Sequence, residues 1–180
     1  LALGFVFDAK KVMELLKTNS KQYSDGHWRM RLLLSANGKA EIEVLELSSI
    51  SHSPQFVMAN DHVASDNPCL RHKTTRREIY TALMSNEPEI FDTLLYNERG
   101  ELTEFTRGNL VIELEGKLIT PATSCGLLPG VFRDTLISRK RVHEAIVTKV
   151  NLMNANRIWF INSVRGAIEV KISPKSTSVI

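Results

Sequence analysis

From Trp28 onward the chain is a succession of short strand-like runs broken by tight turn signals, and this punctuation limits the folds open to it. In Trp28–Ser35, Trp28, Met30, Leu32 and Leu34 alternate with Arg29, Arg31, Leu33 and Ser35, the period of a strand. Asn37-Gly38 is a strong hairpin signal, because two-residue hairpin turns need positive φ, and Glu41–Leu47 is the returning strand. Gln55–Ala59 is a further strand of the same small region. Beyond it, Ile90–Tyr96, Leu102–Thr106, Leu110–Leu114, Lys117–Thr120, His143–Val147, Ile158–Asn162 and Ala167–Ile172 read as strands, with turns at Asn97–Gly100 and Glu115-Gly116. Helices are few. Asp8 is a plausible N-cap for a helix that puts Val12, Leu15 and Leu16 on one face. Thr75–Met84 turns Ile79 and Leu83 inward, and Gly130–Ser138 is a short third helix. Turn formers across Asp61–Leu70, Pro68 among them, mark a linker. The expectation is an α+β chain: a small α/β domain at 1–66 and a larger β-rich α+β domain at 67–180. The tail Ser173–Ile180 is expected to fray.

Composition removes several function classes. Hydrophobic content of 43% and charged content of 24% are those of a folded globular chain. The net charge is +3 and the basic residues are scattered, apart from Arg71–Arg77 and Arg139–Arg141. No basic face with stacking aromatics stands out, so nucleic acid is not an expected partner. Cys69 and Cys125 stand far apart, which argues against a zinc or redox pair and for reduced thiols in the cytoplasm. The histidines form no HxxxH or HExxH pattern, so no metal is expected. No apolar run reaches the ~18 residues of a membrane span. GxSxG and GxxxxGK[ST] are both absent.

By residue type alone the remaining candidates are modest. Lys73 is a surface charge beside arginines near a helix start, although nearby cations lower an amine's pKa and make it a better nucleophile. Glu104 is a strand-edge glutamate. Leu128-Pro129-Gly130-Val131-Phe132 is a common entry into a helix, whose free N–H groups suit a phosphate. Asn162-Ser163 are turn formers at a strand end. Arg107 and Arg165 suit carboxylates, with Glu98 and Glu101 as alternative partners for Arg107.

Four segments, taken together, change that balance. Arg71–Tyr80, Asn97–Leu110, Cys125–Leu136 and Ile161–Val170 resemble the fold type IV pyridoxal-phosphate enzymes (the D-amino acid aminotransferase-like fold) in order and spacing. The resemblance is strongest to the aminodeoxychorismate lyase-like branch, which also forms the carboxy-terminal part of para-aminobenzoate synthase fusions. It implies that Lys73 forms the Schiff base with the cofactor and that Glu104 faces its pyridine nitrogen. It implies that the backbone N–H groups of Val131 and Phe132 hold the phosphate, with Ser163 and Asn162 assisting, while Leu128 packs on the ring. Arg107 and Arg165 become candidates for a substrate carboxylate. The family's TEG-S-x-SN pattern departs here at Phe105 and at Arg107-Gly108, which favours the lyase branch over an aminotransferase. In the family a hairpin and a helix, bearing an arginine that clamps the phosphate, precede the segment matching Leu1–Phe5. The chain is therefore expected to be a shortened form whose small domain lacks its first part.

The implied reaction converts 4-amino-4-deoxychorismate to 4-aminobenzoate and pyruvate on the route to folate. A fold type IV aminotransferase of amino acids, or a truncated non-catalytic remnant, are the alternatives. The implied partners are a small-molecule substrate, a second copy of the chain in a homodimer and an aminodeoxychorismate synthase component.

Overall fold

Alternating and continuous apolar runs settle into two separate units in a computed structural model of the chain, which describes residues 3–50 and 52–178. The units are Leu1–Ile50 and Ser51–Ile180. In the first, helix α1 (Ala9–Gln22) starts where Asp8 Oδ1 accepts from the N–H groups of Lys10 (3.0 Å) and Lys11 (3.2 Å). Those bonds satisfy two of the donors that every helix start leaves without a partner. Strands β1 (Trp28–Leu34) and β2 (Ala40–Glu46) pair antiparallel from Trp28↔Glu46 to Leu34↔Ala40. Gly38 closes the hairpin at φ +86°, a conformation open to glycine at little cost.

The second unit is built on one large sheet. Its strands are β3 (Gln55–Met58), β4 (Ile90–Tyr96), β5 (Leu102–Phe105), β6 (Gly108–Leu114), β7 (Lys117–Pro121), β8 (His143–Ala145), β9 (Arg157–Asn162), β10 (Gly166–Glu169) and β11 (Lys171–Ile172). The order is β10-β9-β6-β5-β4-β3-β11, with β7 also on β6 and β8 beside β7. β3 pairs parallel with β4 and β11, and β7 with β8; the other pairs are antiparallel. Among the described residues three α-helices accompany the sheet: α2 (Glu78–Leu83), α3 (Val131–Ser138) and α4 (Lys149–Met153).

Burial explains why β4 reads as a continuous apolar run rather than an alternating one. Leu94 and Leu95 are both fully buried on opposite faces of the sheet. Leu94 joins the main core with Phe56, Leu102, Phe105, Leu110 and Phe160. Leu95 joins a second cluster with Val63, Leu70 and Tyr80. α3 lies over a third, in which Phe132 and Leu136 pack on Val111 and Ile161.

Several expectations from sequence need correction. Gln55–Met58 belongs to the large sheet, because β3 pairs with β4 and β11, so the compact units divide at 50/51 where the sequence reading divides the chain at 66/67. α2 begins only at Glu78: no side chain caps it, and Lys73–Arg77 form the irregular segment leading in. Ala167–Ile172 is two strands, with β10 on β9 and β11 crossing to β3. α4 replaces what read as unstructured chain, through a capping box between Thr148 and Asn151. The tail does not fray as far as residue 178. Ser176 is buried and its Oγ accepts from Met58 N at 2.8 Å, and Lys175 Nζ reaches Glu89 Oε1 at 2.5 Å. Residues 179–180 of the expected frayed tail lie outside the described residues.

Phe105 is fully buried, edge-on to Phe56 at 5.1 Å and tilted on Phe160 at 5.5 Å between ring centres. Phe105→Ala should therefore lower unfolding stability by about 3–5 kcal/mol, the usual loss for truncating a buried phenylalanine. Denaturant titration would show it as a lower midpoint with an unchanged slope. A loss under about 1 kcal/mol would mean that these rings do not form the centre of the core.

Candidate active site

The hairpin of β5 and β6 sets the site's geometry. Its register pairs Phe105 with Gly108 and Glu104 with Asn109. Directly opposed residues project to the same face of a sheet, so Glu104 and Asn109 stand side by side. Both are buried, Glu104 at 4% and Asn109 at 5% exposure.

A buried carboxylate needs donors, and Glu104 has them mostly on one oxygen. Oε1 accepts from Tyr80 Oη at 2.8 Å and from the backbone N–H of Leu128 at 3.1 Å. Oε2 accepts from Asn109 Nδ2 at the longer distance of 3.4 Å. Burial pushes the carboxyl up to about 8, against the opposing effects of the Tyr80 and Leu128 bonds and the cations Arg77 and Lys73. Burial and the adjacent carboxylate push the Tyr80 hydroxyl upward as well, so it keeps its proton and acts as donor. The Arg77 guanidinium lies over the Tyr80 ring, 4.4 Å from its centre, and donates to the carbonyl of Thr106.

Asn109 joins this carboxylate to the start of α3. Its Nδ2 donates to Leu128 O at 2.8 Å. Its Oδ1 packs so tightly on Gly130 that a Cβ there would lie 2.3 Å away. Gly130 opens α3, and no side chain caps that helix. The N–H groups of Val131 and Phe132 therefore sit at an uncapped helix start tied by two residues to Glu104.

Of the residues singled out from sequence, Glu104 and Leu128 are in direct contact, and Val131 and Phe132 follow on the same strand-to-helix connection. Lys73 lies on the exposed lead-in to α2, close enough for its charge to act on Glu104. Ser163 and Arg165 lie in the β9–β10 turn. Asn162 builds that turn: its Oδ1 accepts from Val164 N (3.0 Å) and Arg165 N (2.8 Å), and its Nδ2 donates to Arg107 O at 3.2 Å. Arg107 corrects the sequence reading, which gave it Glu98 or Glu101 as alternatives to a substrate. Its Nε bonds Asp92 Oδ2 at 3.1 Å, because the fully buried Asp92 side chain needs donors. Thr106 supplies two more to Asp92, from its N–H at 3.1 Å and its hydroxyl at 2.6 Å. Glu98 and Glu101 both go to Arg99, each at 2.7 Å. Sequence reasoning missed Tyr80, Arg77 and Asn109 as site residues. The hairpin register of Glu104 and Asn109 was a usable signal; nothing in the spacing from Lys73 pointed to Tyr80.

The Amino-transferase class IV family profile matches residues 1–172. The chain is 30% identical over 146 residues to the Schizosaccharomyces pombe protein named "Putative aminodeoxychorismate lyase", covering 76% of this chain and 63% of that one. It thus spans between about a third and two thirds of the length of the curated relatives it matches. Among solved structures, the "Putative amino-acid aminotransferase" of Mesorhizobium loti superposes with a TM-score of 0.86 at 35% identity, over 96% of this chain and 85% of the other. A Mycobacterium tuberculosis structure described as a hypothetical aminotransferase with α-ketoglutarate and PMP bound shares the fold, with a TM-score of 0.80 at 15% identity over 95% and 73%. The chain belongs to the class IV aminotransferases, the fold type IV family of pyridoxal-phosphate-dependent enzymes. Among the described residues no cluster of His, Cys, Asp and Glu could hold a metal ion, and no helix is long and apolar enough to cross a membrane.

The raised carboxyl of Glu104 has a consequence for stability. Its folded value lies above its unfolded one, so the folded state holds the proton longer. Stability should fall as pH rises from the ordinary carboxyl range to about 8, and level off beyond it. Glu104→Gln removes that titration. In the cofactor-free protein the variant should lose part of the decline between pH 5 and pH 8, on the order of 2 kcal/mol. Denaturation midpoints at a series of pH values would test this; parallel curves for parent and variant would mean that Glu104 is not protonated on folding.

Proposed function

We propose that this chain is a pyridoxal-phosphate-dependent lyase that converts 4-amino-4-deoxychorismate to 4-aminobenzoate and pyruvate, as a cytoplasmic homodimer on the folate route. The observation that carries the reading is the connection Glu104–Leu128–Gly130–α3, with the Lys73 cation alongside. It would offer a carboxylate to a pyridine nitrogen and an uncapped helix start to a phosphate, joined through Asn109 and Leu128. The likeness to the Schizosaccharomyces pombe protein supports the choice of lyase.

The residues fit the cofactor. Val131 and Phe132 N–H groups would hold its phosphate, Leu128 would pack on its ring, and Ser163 would assist from the β9–β10 turn. Glu104 would hold the proton on its pyridine nitrogen. Pyridoxal phosphate, when bound, supplies a carbonyl that condenses with amines and a protonated ring that withdraws electrons. Lys73 Nζ would be the amine that holds it. Lys73 would also act as general base, taking the proton from the amine-bearing carbon of the substrate. It would then return a proton to the methylene of the departing enolpyruvyl group. Arg165, in the β9–β10 turn, and Arg107, whose Nε also bonds Asp92, would be the candidates for a substrate carboxylate.

Reduction with borohydride should link pyridoxal phosphate irreversibly to Lys73, as peptide mapping would find; a label on another lysine would sink the assignment. Glu104→Gln should keep near-normal cofactor occupancy and release pyruvate about 100-fold more slowly, a loss of roughly 3 kcal/mol. A variant turning over at the parental rate would remove Glu104 from its role. Sedimentation should give a homodimer at micromolar concentration, and only monomer would count against that part. An aminodeoxychorismate synthase component is the proposed source of substrate.

A second reading, an amino-acid aminotransferase, is favoured by the 35% identity to the Mesorhizobium loti structure. It uses the same lysine and glutamate, and differs in needing a keto acid. Pyruvate release from aminodeoxychorismate without added keto acid selects the lyase; amino transfer that depends on a keto acid selects the alternative.

A further inference from the structure

We infer that Tyr80 is a positioning residue for Glu104: its hydroxyl occupies one carboxylate oxygen, so that the other is the one presented to a ligand cation. The inference rests on the proposed role of Glu104 as partner of the pyridine nitrogen. It goes beyond that role by naming what orients the carboxylate and most favours its charged form against burial.

The geometry is asymmetric. Tyr80 Oη and Leu128 N–H both donate to Oε1, at 2.8 and 3.1 Å, while the hydrogen bond to Oε2, from Asn109, is the longer one at 3.4 Å. Two well-placed donors on one oxygen fix the plane of the carboxylate and leave Oε2 with acceptor capacity. Tyr80 is itself held. It is buried in the cluster of Val63, Leu70 and Leu95, and the Arg77 guanidinium covers its ring at 4.4 Å. Arg77 is fixed in turn on the carbonyl of Thr106, in the turn between β5 and β6. The phenol is thereby tied to the strand that carries Glu104 by two routes.

The charged and titratable groups around the carboxyl are few. Tyr80 and Arg77 come from α2 and its start, and Lys73 from the lead-in, while the sheet offers Asn109 and the connection before α3 offers Leu128 N–H. Cys69 acts on Tyr80 rather than on Glu104. Burial opposes ionisation of Glu104, and Tyr80 is the largest of the effects that favour it. Losing the Tyr80 hydroxyl would therefore leave a carboxyl that is both less oriented and more often protonated, and a protonated carboxyl cannot hold a proton on a ring nitrogen.

The test is a carbon-13 NMR titration of the Glu104 carboxyl in the full chain without cofactor. Tyr80→Phe keeps the ring and its contact with Arg77, and should raise the midpoint by about one pH unit or more. In protein loaded with pyridoxal phosphate, the same variant should release pyruvate about tenfold more slowly near neutral pH and recover as pH rises. A merely structural role would lower the rate at every pH. Should Tyr80→Phe fail to fold, 3-fluorotyrosine at position 80 serves instead: its more acidic phenol is a stronger donor and should lower the midpoint by about 0.3 pH units. An unmoved midpoint in either protein overturns the inference, whatever turnover does. If the midpoint moves but Glu104→Gln keeps parental turnover, the pyridine assignment fails and the positioning role falls with it. The two failures are thus separate.

Discussion

The buried carboxylate of Glu104 is the constraint on which the second unit's arrangement depends. A carboxyl group at 4% exposure is tolerable only with donors brought to it from other parts of the chain. One comes from α2, as Tyr80 Oη, and one from the connection before α3, as Leu128 N–H. Segments that begin about thirty residues earlier and end about thirty residues later in the chain are thereby drawn to one point on β5. Had Glu104 been apolar, the same strands could pair, but Tyr80 Oη and Leu128 N–H would lose their shared acceptor, leaving Arg77 on Thr106 O and Asn109 on Leu128 O to hold α2 and the α3 entry here.

The neighbouring network shows the same logic with a different outcome. Asp92 on β4 is as buried as Glu104, yet its donors surround it on both oxygens: Thr93 N and both donors of Thr106 on Oδ1, and Arg107 Nε on Oδ2. That carboxylate carries a charged partner on Oδ2 and holds the turn between β5 and β6 in place. Glu104, two residues before Thr106, keeps one oxygen almost unused. The contrast separates a carboxylate that builds the frame from one that the frame presents. It also explains why Arg107 serves the frame, although it stands beside the site in the chain.

Much of this fold was legible from local signals. Alternation gave β1 and β2 around Asn37-Gly38, and Asp8 marked the start of α1 to the residue. The large sheet's strands were found where apolar runs met turns. Partners across the chain were not legible, because a strand's pattern records burial and not its neighbour. Gln55–Met58 looks the same whether it closes a small domain or, as here, runs parallel to β4. α4 was missed because five residues give too little periodicity, and only the Thr148–Asn151 capping box announces it. At the site, Lys73, Glu104 and the α3 entry were named from a resemblance that residue types alone would not have supplied. Tyr80 and Arg77 escaped because tyrosine and arginine near a helix start usually mean a core ring and a surface charge. Their meaning lies in an acceptor 24 residues from Tyr80 and a carbonyl 29 residues from Arg77.

The asymmetry of Glu104 also bears on how the site responds to a ligand. Without a cation nearby, burial favours the protonated carboxyl over the charged one. A cation brought to Oε2 reverses that preference, because the interaction acts in a place from which water is largely excluded. Under the proposed function, binding a pyridine ring and ionising Glu104 are then one linked event, since each favours the other. The three donors from Tyr80, Leu128 and Asn109 are present beforehand, so little rearrangement accompanies the change. A charge created on preplaced donors costs less than one for which donors must be gathered, and that is the advantage of building the carboxylate on a central strand rather than on a loop.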